Sequence, residues 1–199
     1  ATLGRRGWLG SFLERSEGGI GLDMVSYGRL HEELGRGCSS LRGAVTAHDM
    51  VILVLRRWGE TKQKDRWLRR LLRGDAIAGF ALSEAGAGSD ASAIRTEARR
   101  EKAGFIFRGS KRWVTNGLRA DVYLVFARTA EGTGAFLIPR KTAGLTVTPM
   151  GPLLGVRAAG IAELRFEDCN LSADVLIGGP GGGLNFVLPA GLALGPYAV

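Results

Sequence analysis

Two cysteines, Cys38 and Cys169, and two histidines, His31 and His48, are all that this 199-residue chain has of either type. The cysteines cannot build a disulfide framework, and neither stands at metal-ligand spacing from another Cys or a His, which excludes a disulfide-stapled scaffold and a structural zinc site. Both are read as reduced packing residues. The histidines sit in helical patterns with no paired Ser or Cys nucleophile and are read as structural. No apolar run approaches the ~18 residues of a membrane helix, the longest being Met50 to Leu55, so no membrane span is expected. The first residues lack a basic, apolar, small-residue leader, and a cytoplasmic location is expected.

Lysine is also scarce, with 5 against 22 arginines in a net charge of +8. Residues 56–73 alone hold eight basic and two acidic side chains. Such a stretch reads as a solvated helix face, or as a surface for an acidic protein partner or a phosphorylated substrate. Neither an aromatic-rich strand motif nor zinc spacing accompanies the charge, so no nucleic-acid partner is expected. An apolar content of 45% and a mean hydropathy of +0.06 are those of a globular protein, and the length allows one full domain and part of another.

The first 75 residues have helical periodicity. Asp23 precedes a stripe of Met24, Tyr27, Leu30 and Leu34 that Gly35 and Gly37 close, and Leu41 to Leu55 is apolar on nearly every side, as in a helix buried in a bundle. From Glu60 to Arg73 the faces separate, with Trp67, Leu68, Leu71 and Leu72 opposite Lys62, Arg66, Arg69, Arg70 and Arg73. The period then changes. Ile77–Leu82, Phe105–Phe107, Trp113–Thr115, Val122–Ala127, Ala135–Ile138, Leu145–Thr148 and Ile161–Phe166 are strand-like runs separated mostly by Gly, Asn, Asp or Pro. They predict an antiparallel barrel or sandwich. After the glycine-rich stretch at 178–183, Leu184 to Leu194 predicts the start of another helix. The fold class is therefore α+β, divided into a partial helical domain at 1–75, a β-domain at 76–178 and a helical stub at 179–199.

Gly86-Ala-Gly-Ser-Asp-Ala91 matches the Gly-x-Gly-x-x-Gly/Ala dinucleotide fingerprint. That fold requires an acidic strand end about 20 residues on and crossover helices; the corresponding region here is basic and the period-two runs follow one another directly. A different reading fits better. Phe80-Ala-Leu-Ser-Glu-Ala-Gly-Ala-Gly-Ser-Asp90 and Gly109-Ser-Lys-Arg-Trp-Val-Thr-Asn-Gly117 each present hydroxyls beside a large apolar side chain, which suits a flat, polar-edged ring carrying phosphates. Ser83 can hydrogen-bond the edge of such a ring, Trp113 offers it a flat face, Thr115 a hydroxyl near its redox centre, and the loop with Ser89 approaches phosphate or thioester-carrier atoms.

These two segments resemble the acyl-CoA dehydrogenase family, whose flavin-binding middle domain carries a Thr-Glu-Pro-x-x-Gly-Ser-Asp strand-loop and a Trp-Ile-Thr-Asn strand end about 25 residues later. Further similar stretches are Gly155-Val-Arg157, Leu164 to Asp168 running into Val175 to Gly178, and, upstream, Gly18 to Gly21 and Trp58-Gly59 with Gln63-Lys64. The resemblance implies FAD as cofactor, contacted by Phe80, Leu82, Ser83, Trp113 and Thr115, with Ser89 between cofactor and the pantetheine-bearing substrate. It implies α,β-dehydrogenation of an acyl thioester carried on CoA or an acyl carrier protein, and a homo-oligomer at full length; it leaves the electron acceptor open. Ala85 replaces the family's Pro, Phe80 a frequent Tyr and Ala159 a Ser. The family's Arg just before or at the position of Pro196 is absent from Leu192 to Tyr197, which with the basic helix favours the carrier protein. No carboxylate of the chain matches the family's catalytic Glu, which belongs to a C-terminal helical bundle, so no catalytic residue is assigned. The competing expectation is a non-catalytic scaffold or interaction protein of the same fold.

Overall fold

The Asp23 carboxylate accepts the Ser26 N–H at 2.7 Å and so starts the first long helix where its apolar stripe begins. The structure, a computed structural model, describes residues 2–194. A short helix α1 (Thr2–Arg5) precedes α2 (Met24–Gly37), α3 (Ser39–Trp58) and α4 (Thr61–Arg73). Helix α3 is buried almost continuously from Val45 to Leu55, as its all-round apolar pattern predicts. Helix α4 buries Trp67, Leu71 and Leu72 and exposes Lys62, Arg66, Arg69, Arg70 and Arg73. Gly74 ends it at a φ of 70°, a left-handed turn that only glycine makes without steric cost. At its start, Gln63 accepts the Glu60 N–H through Oε1 at 3.0 Å, and through Nε2 it donates to the carbonyls of Asp174 and Leu176 at 2.7 and 2.8 Å. One side chain thus caps the helix and ties it to the β-domain.

Eight strands follow: β1 (Ala78–Ala81), β2 (Glu97–Glu101), β3 (Gly104–Val114), β4 (Val122–Thr129), β5 (Gly132–Pro139), β6 (Leu145–Pro149), β7 (Ala162–Ser172) and β8 (Leu176–Ile177). They form one sheet in the order β6-β7-β3-β2-β4-β5-β8. The expected antiparallel pairing holds for most neighbours, and two contacts depart from it. β1 lies parallel to the first half of β4, Ala78 opposite Val122, and β2 meets the end of β4 in parallel at Glu97 and Arg128. Both edges of β4 are therefore paired, and its residues alternate between two cores. Val122, Leu124 and Phe126 face the helices, while Tyr123, Val125 and Ala127 face the interior formed with Phe107, Phe136 and Phe166. Burial on both faces is why Val122 to Ala127 reads as an unbroken apolar run.

Two expectations are corrected here. Phe105–Phe107 and Trp113–Thr115 do not form separate strands; β3 runs through both as far as Val114, interrupted only by breaks in its register against β7. The second concerns the run Ile161–Phe166, whose strand extends to Ser172 as β7 and so takes in Asp168. Beyond β8, a π-helical turn (Gly183–Val187) leads into α5 (Leu188–Leu192), whose Leu188 joins Val187 in the core shared with α3. The expectation at Pro196 and Tyr197 lies outside the described residues.

Two side chains join the helical layer to the sheet. His48, buried in α3, contacts the Leu71 carbonyl through Nε2 at 3.1 Å and accepts the Ala78 N–H through Nδ1 at 3.1 Å. This arrangement fits the neutral ring with its proton on Nε2, and burial lowers the His48 pKa to about 4. Asn116 Nδ2 donates to the carbonyls of Ala44 and Ala78 at 2.8 and 3.0 Å.

Candidate functional site

Past β1 the chain continues extended through Leu82 and Ser83, and the Ser83 carbonyl accepts the Arg112 N–H at 2.8 Å. That bond sets Ser83 beside the end of β3, where the register against β7 shifts between Lys111 and Val114. Within the bulge Trp113 adopts a φ of 60°. A left-handed backbone at so bulky a residue is an outlier that costs on the order of 1–3 kcal/mol, and such strain is characteristic of functional sites. Its backbone N–H donates to the Met150 sulfur at 3.3 Å. The effect is to turn the indole outward, 53% exposed, where simple alternation along a strand would offer no such freedom. The Arg112 guanidinium lies 5.4 Å from the centroid of the Trp113 ring and pairs with Glu163 at 3.4 Å.

Thr115 follows, half-buried. Its carbonyl oxygen would stand 3.2 Å from a Cβ placed on Gly79, and the Tyr123 ring 3.0 Å, so the absence of a side chain at Gly79 is what lets β1 approach this corner. The hydroxyls of Ser83, Ser89 and Thr115 make no hydrogen bond among the described residues, which leaves three donors and acceptors free for a ligand. A flat face, unengaged hydroxyls and a Gly-rich loop in sequence are a donor set that suits an isoalloxazine ring and its pyrophosphate.

Beneath this corner is a feature that the sequence reading did not assign. Lys111 is fully buried, and its Nζ donates to the Leu82 carbonyl at 2.9 Å and to Glu84 Oε1 at 2.7 Å. Glu84 also accepts the backbone N–H of Arg95 at 2.6 Å and of Thr96 at 3.0 Å. Burial opposes the charge of Glu84, but the hydrogen bonds from Lys111 and these amides outweigh it and hold the carboxyl below its ordinary pKa. Burial lowers Lys111 to about 8, with Glu84 acting against the shift. The pair is therefore ionic at neutral pH. Period two could have indicated it, because Lys111 continues the inward positions of Phe105 and Phe107.

The structure brings Ser83 beside Arg112, next to Trp113 and Thr115 on the same strand end. Phe80 and Leu82 share Ser83's strand segment but pack toward the helical layer, the Phe80 ring 5.3 Å from that of Phe126. Ser89 stands exposed on the loop that Glu84 closes, beside Asp90, whose carboxylate accepts the Ser92 N–H at 3.0 Å. Among the described residues no cluster of His, Cys, Asp or Glu could hold a metal ion.

A helical layer packed on a mixed sheet, with a bulged strand end presenting an exposed indole, defines an α+β protein. The sequence profile of the acyl-CoA dehydrogenase middle domain matches residues 79–169, and that of the acyl-CoA dehydrogenase N-terminal domain matches residues 1–75. The chain belongs to the acyl-CoA dehydrogenase family. It is 37% identical over 192 residues to the short-chain specific mitochondrial acyl-CoA dehydrogenase of Rattus norvegicus, a match covering 94% of this chain and 47% of that protein. A glutaryl-CoA dehydrogenase from Mycobacterium smegmatis in complex with FADH2 superposes with a TM-score of 0.90 at 36% identity, over 99% of this chain and 50% of that one. The prolyl acyl carrier protein oxidase AnaB superposes with a TM-score of 0.88 at 31% identity, over 99% of this chain and 56% of that one. The chain thus spans about half the length of the curated relatives it matches.

Proposed function

We propose that the protein takes part in FAD-dependent α,β-dehydrogenation of an acyl thioester, with the flavin held at the corner formed by Ser83, Trp113 and Thr115. The observation that carries this reading is the outward-turned Trp113, kept in a left-handed backbone conformation near the unengaged hydroxyls of Ser83 and Thr115. Trp113 stacks against the ring system, Ser83 and Thr115 hydrogen-bond its polar edge, and Phe80 and Leu82 shape the apolar wall behind Ser83. When bound, FAD supplies the hydride acceptor for the substrate's β-carbon. Ser89 meets the carrier arm of the thioester, where the loop backbone can approach closely. Lys111 and Glu84 hold the Leu82–Ser83 segment from below and keep its carbonyls oriented. Support comes from the family assignment and from the FADH2 complex of the mycobacterial relative.

CoA and an acyl carrier protein both fit as the carrier; relatives named for each occur among the matches. The exposed basic face of α4 suits an acidic carrier protein. The division at 75 and 178, assembly as a homo-oligomer and a cytoplasmic location with Cys38 and Cys169 reduced belong to the same reading. Among the described residues no helix is long and apolar enough to cross a membrane. A non-catalytic scaffold is the second reading, favoured by the engagement of every carboxylate near the site. Glu84 is held by Lys111 and two amides, Asp90 by Ser92, Glu163 by Arg112 and Asp168 by Arg108. The test is the spectrum of the purified protein: flavin absorbance in stoichiometric amount supports the dehydrogenase reading, and a colourless, monodisperse protein that takes up no added FAD overturns it.

A further inference from the structure

The stretch between β6 and β7 fastens the strand end that carries Trp113. The Asn116 N–H donates to the Ala159 carbonyl at 3.0 Å, the Leu118 N–H to the Gly160 carbonyl at 3.0 Å, and the Arg119 guanidinium to the Ala158 carbonyl at 3.2 Å. These three bonds end on backbone carbonyls, which a mild oxidant does not alter. The fourth is different. The Trp113 N–H donates to the sulfur of Met150 at 3.3 Å. A thioether is a weak acceptor, and here it holds a bulky residue in a left-handed backbone, at a φ of 60°. Met150 is also open to reagents. Its own N–H donates to the Ile161 carbonyl at 3.2 Å, which fixes the backbone, but its side chain is only half-buried, at the start of a stretch in which Gly151, Pro152 and Leu154 to Ala158 are exposed. Of the other two methionines, Met50 is buried in α3 and Met24 is half-buried at the start of α2, away from this corner.

We propose that Met150 is a site of reversible oxidation, and that its conversion to the sulfoxide unlatches the Trp113 bulge. Hydrogen peroxide is the oxidant. A sulfur lone pair takes one peroxide oxygen as the O–O bond breaks, the proton of that oxygen passes to the other, which leaves as water, and the thioether is oxidised by two electrons. The oxidised sulfur carries partial positive charge and no longer accepts an N–H, while its new oxygen needs about 2.9 Å of its own from any donor. At 3.3 Å there is no room for that oxygen between the sulfur and the Trp113 nitrogen, so the side chain must withdraw and the bulge loses its present partner. The sulfoxide is also polar, and from a half-buried position it turns toward water. An indole freed in this way holds flavin less well. That consequence rests on the function proposed above; the oxidation of Met150 and the release of the Trp113 N–H do not.

The experiment exposes the 15N-labelled protein to graded hydrogen peroxide and then to dithiothreitol, which returns oxidised Cys38, the exposed cysteine, to the thiol and leaves sulfoxides in place. Peptide mass mapping should find the added oxygen on Met150 before Met50, and the Trp113 backbone amide resonance should move in the flavin-free protein. FAD should then bind roughly 2- to 10-fold more weakly, the cost of reordering one freed side chain. Methionine sulfoxide reductase should reverse all three changes. Met150→Leu keeps the volume without the sulfur, and its affinity for FAD should not respond to peroxide; Met24→Leu should respond as the unsubstituted protein does. A Trp113 amide that stays in place while Met150 is oxidised overturns the inference. So does a peroxide-induced loss of FAD affinity that persists in Met150→Leu, or oxidation of Met50 ahead of Met150. If the untreated protein takes up no FAD and the Trp113 amide still moves as Met150 is oxidised, the flavin reading falls and the latch stands.

Discussion

Lys111 and Glu84 form a buried ion pair directly under the strand segment that carries Ser83, 2.7 Å between Nζ and Oε1. Removing one partner strands the other away from water, which is far more costly than the net worth of the pair. Lys111→Met should therefore destabilise the protein by about 3 kcal/mol. Glu84→Leu should cost more, because it orphans the amides of Arg95 and Thr96 as well as the lysine. Urea unfolding of the two single variants and the double variant checks this, the double showing a coupling above about 1 kcal/mol. Additive losses would show that the pair is not the strut described.

Flavin affinity should depend on Trp113, Ser83 and Thr115 as separate contributions. Trp113→Ala should weaken FAD binding by about 1–3 kcal/mol, through loss of a stacked face, and Ser83→Ala or Thr115→Val by about 1 kcal/mol each. Equilibrium dialysis against FAD measures all three. Full occupancy retained in every variant would remove this corner as the flavin site.

Protonation of His48 should link the interface between helices and sheet to pH. Burial lowers both His48 and His31 to about 4, so between about 4 and 6.5 the unfolded chain binds protons that these rings refuse when folded. Their contribution to stability is present above 6.5 and lost as pH falls toward 4. Asp49 works in the opposite sense. Burial raises its pKa to about 7, against hydrogen bonds from Gly10 and Tyr27, so the folded protein keeps a proton there that the unfolded chain releases. That contribution is complete below about 4 and lost as pH rises through 7. His31 Nε2 and Asp49 Oδ2 lie 4.0 Å apart and titrate as a pair, so His48 is the histidine that can be read alone. His48→Gln offers the same donor and acceptor without titrating, and it should flatten the rise of urea-derived stability between pH 4.5 and 6 by up to one proton's slope, ~1 kcal/mol per pH unit. An unchanged slope would show that His48 does not stay neutral in the fold.

Charge reversal on α4 addresses a carrier protein. Arg66, Arg69 and Arg70 are exposed, and Arg66 and Arg70 flank the Trp67 ring at 5.1 and 5.3 Å. Changing all three to Glu should slow association with an acidic acyl carrier protein at low salt and flatten its salt dependence, leaving titration with CoA unaltered. Stopped-flow association measured across salt concentrations separates this from a merely solvated helix face, for which neither the rate nor its salt dependence changes.

The 199-residue chain loaded with FAD should not be bleached rapidly by acyl-CoAs or acyl carrier thioesters under anaerobic conditions, because a positioned general base contributes about 10²–10⁴ in rate and each nearby carboxylate is already engaged. Rapid bleaching that Glu84→Gln abolishes would place the base within this chain.

Much of this was legible because particular segments obey one rule at a time. Helix α4 has its two faces written in alternate Trp-Leu and Lys-Arg positions, and β4 announces itself as a run covered on both sides. The misses occurred where tertiary pairing overrides local pattern. Glu97-Ala-Arg-Arg-Glu101 buries only Ala98, so nothing in its composition indicates a strand; pairing with β3 imposes one. Likewise, Arg108 to Arg112 stands between two short strand-like runs in the sequence, yet it is continuous strand with an inward lysine, and the bulge that turns Trp113 outward depends on register against β7, which lies about 50 residues away. The residue types at the proposed flavin corner were readable, whereas the strut beneath them and the strained backbone that aims the indole were not.

His48 and Asn116 give the seam between helices and sheet a mechanical character. Two of their bonds cross the seam, from the Ala78 N–H to His48 and from Asn116 to the Ala44 carbonyl, while the other two fix His48 to the end of α4 and Asn116 to β1. A core shared by Val51, Leu55, Leu71, Val122 and Phe126 lies behind them. Opening the seam would expose that core and break those bonds together, so the two matched segments should melt as one cooperative block. A nick in the connection near Asp75 would then yield two fragments that stay clasped.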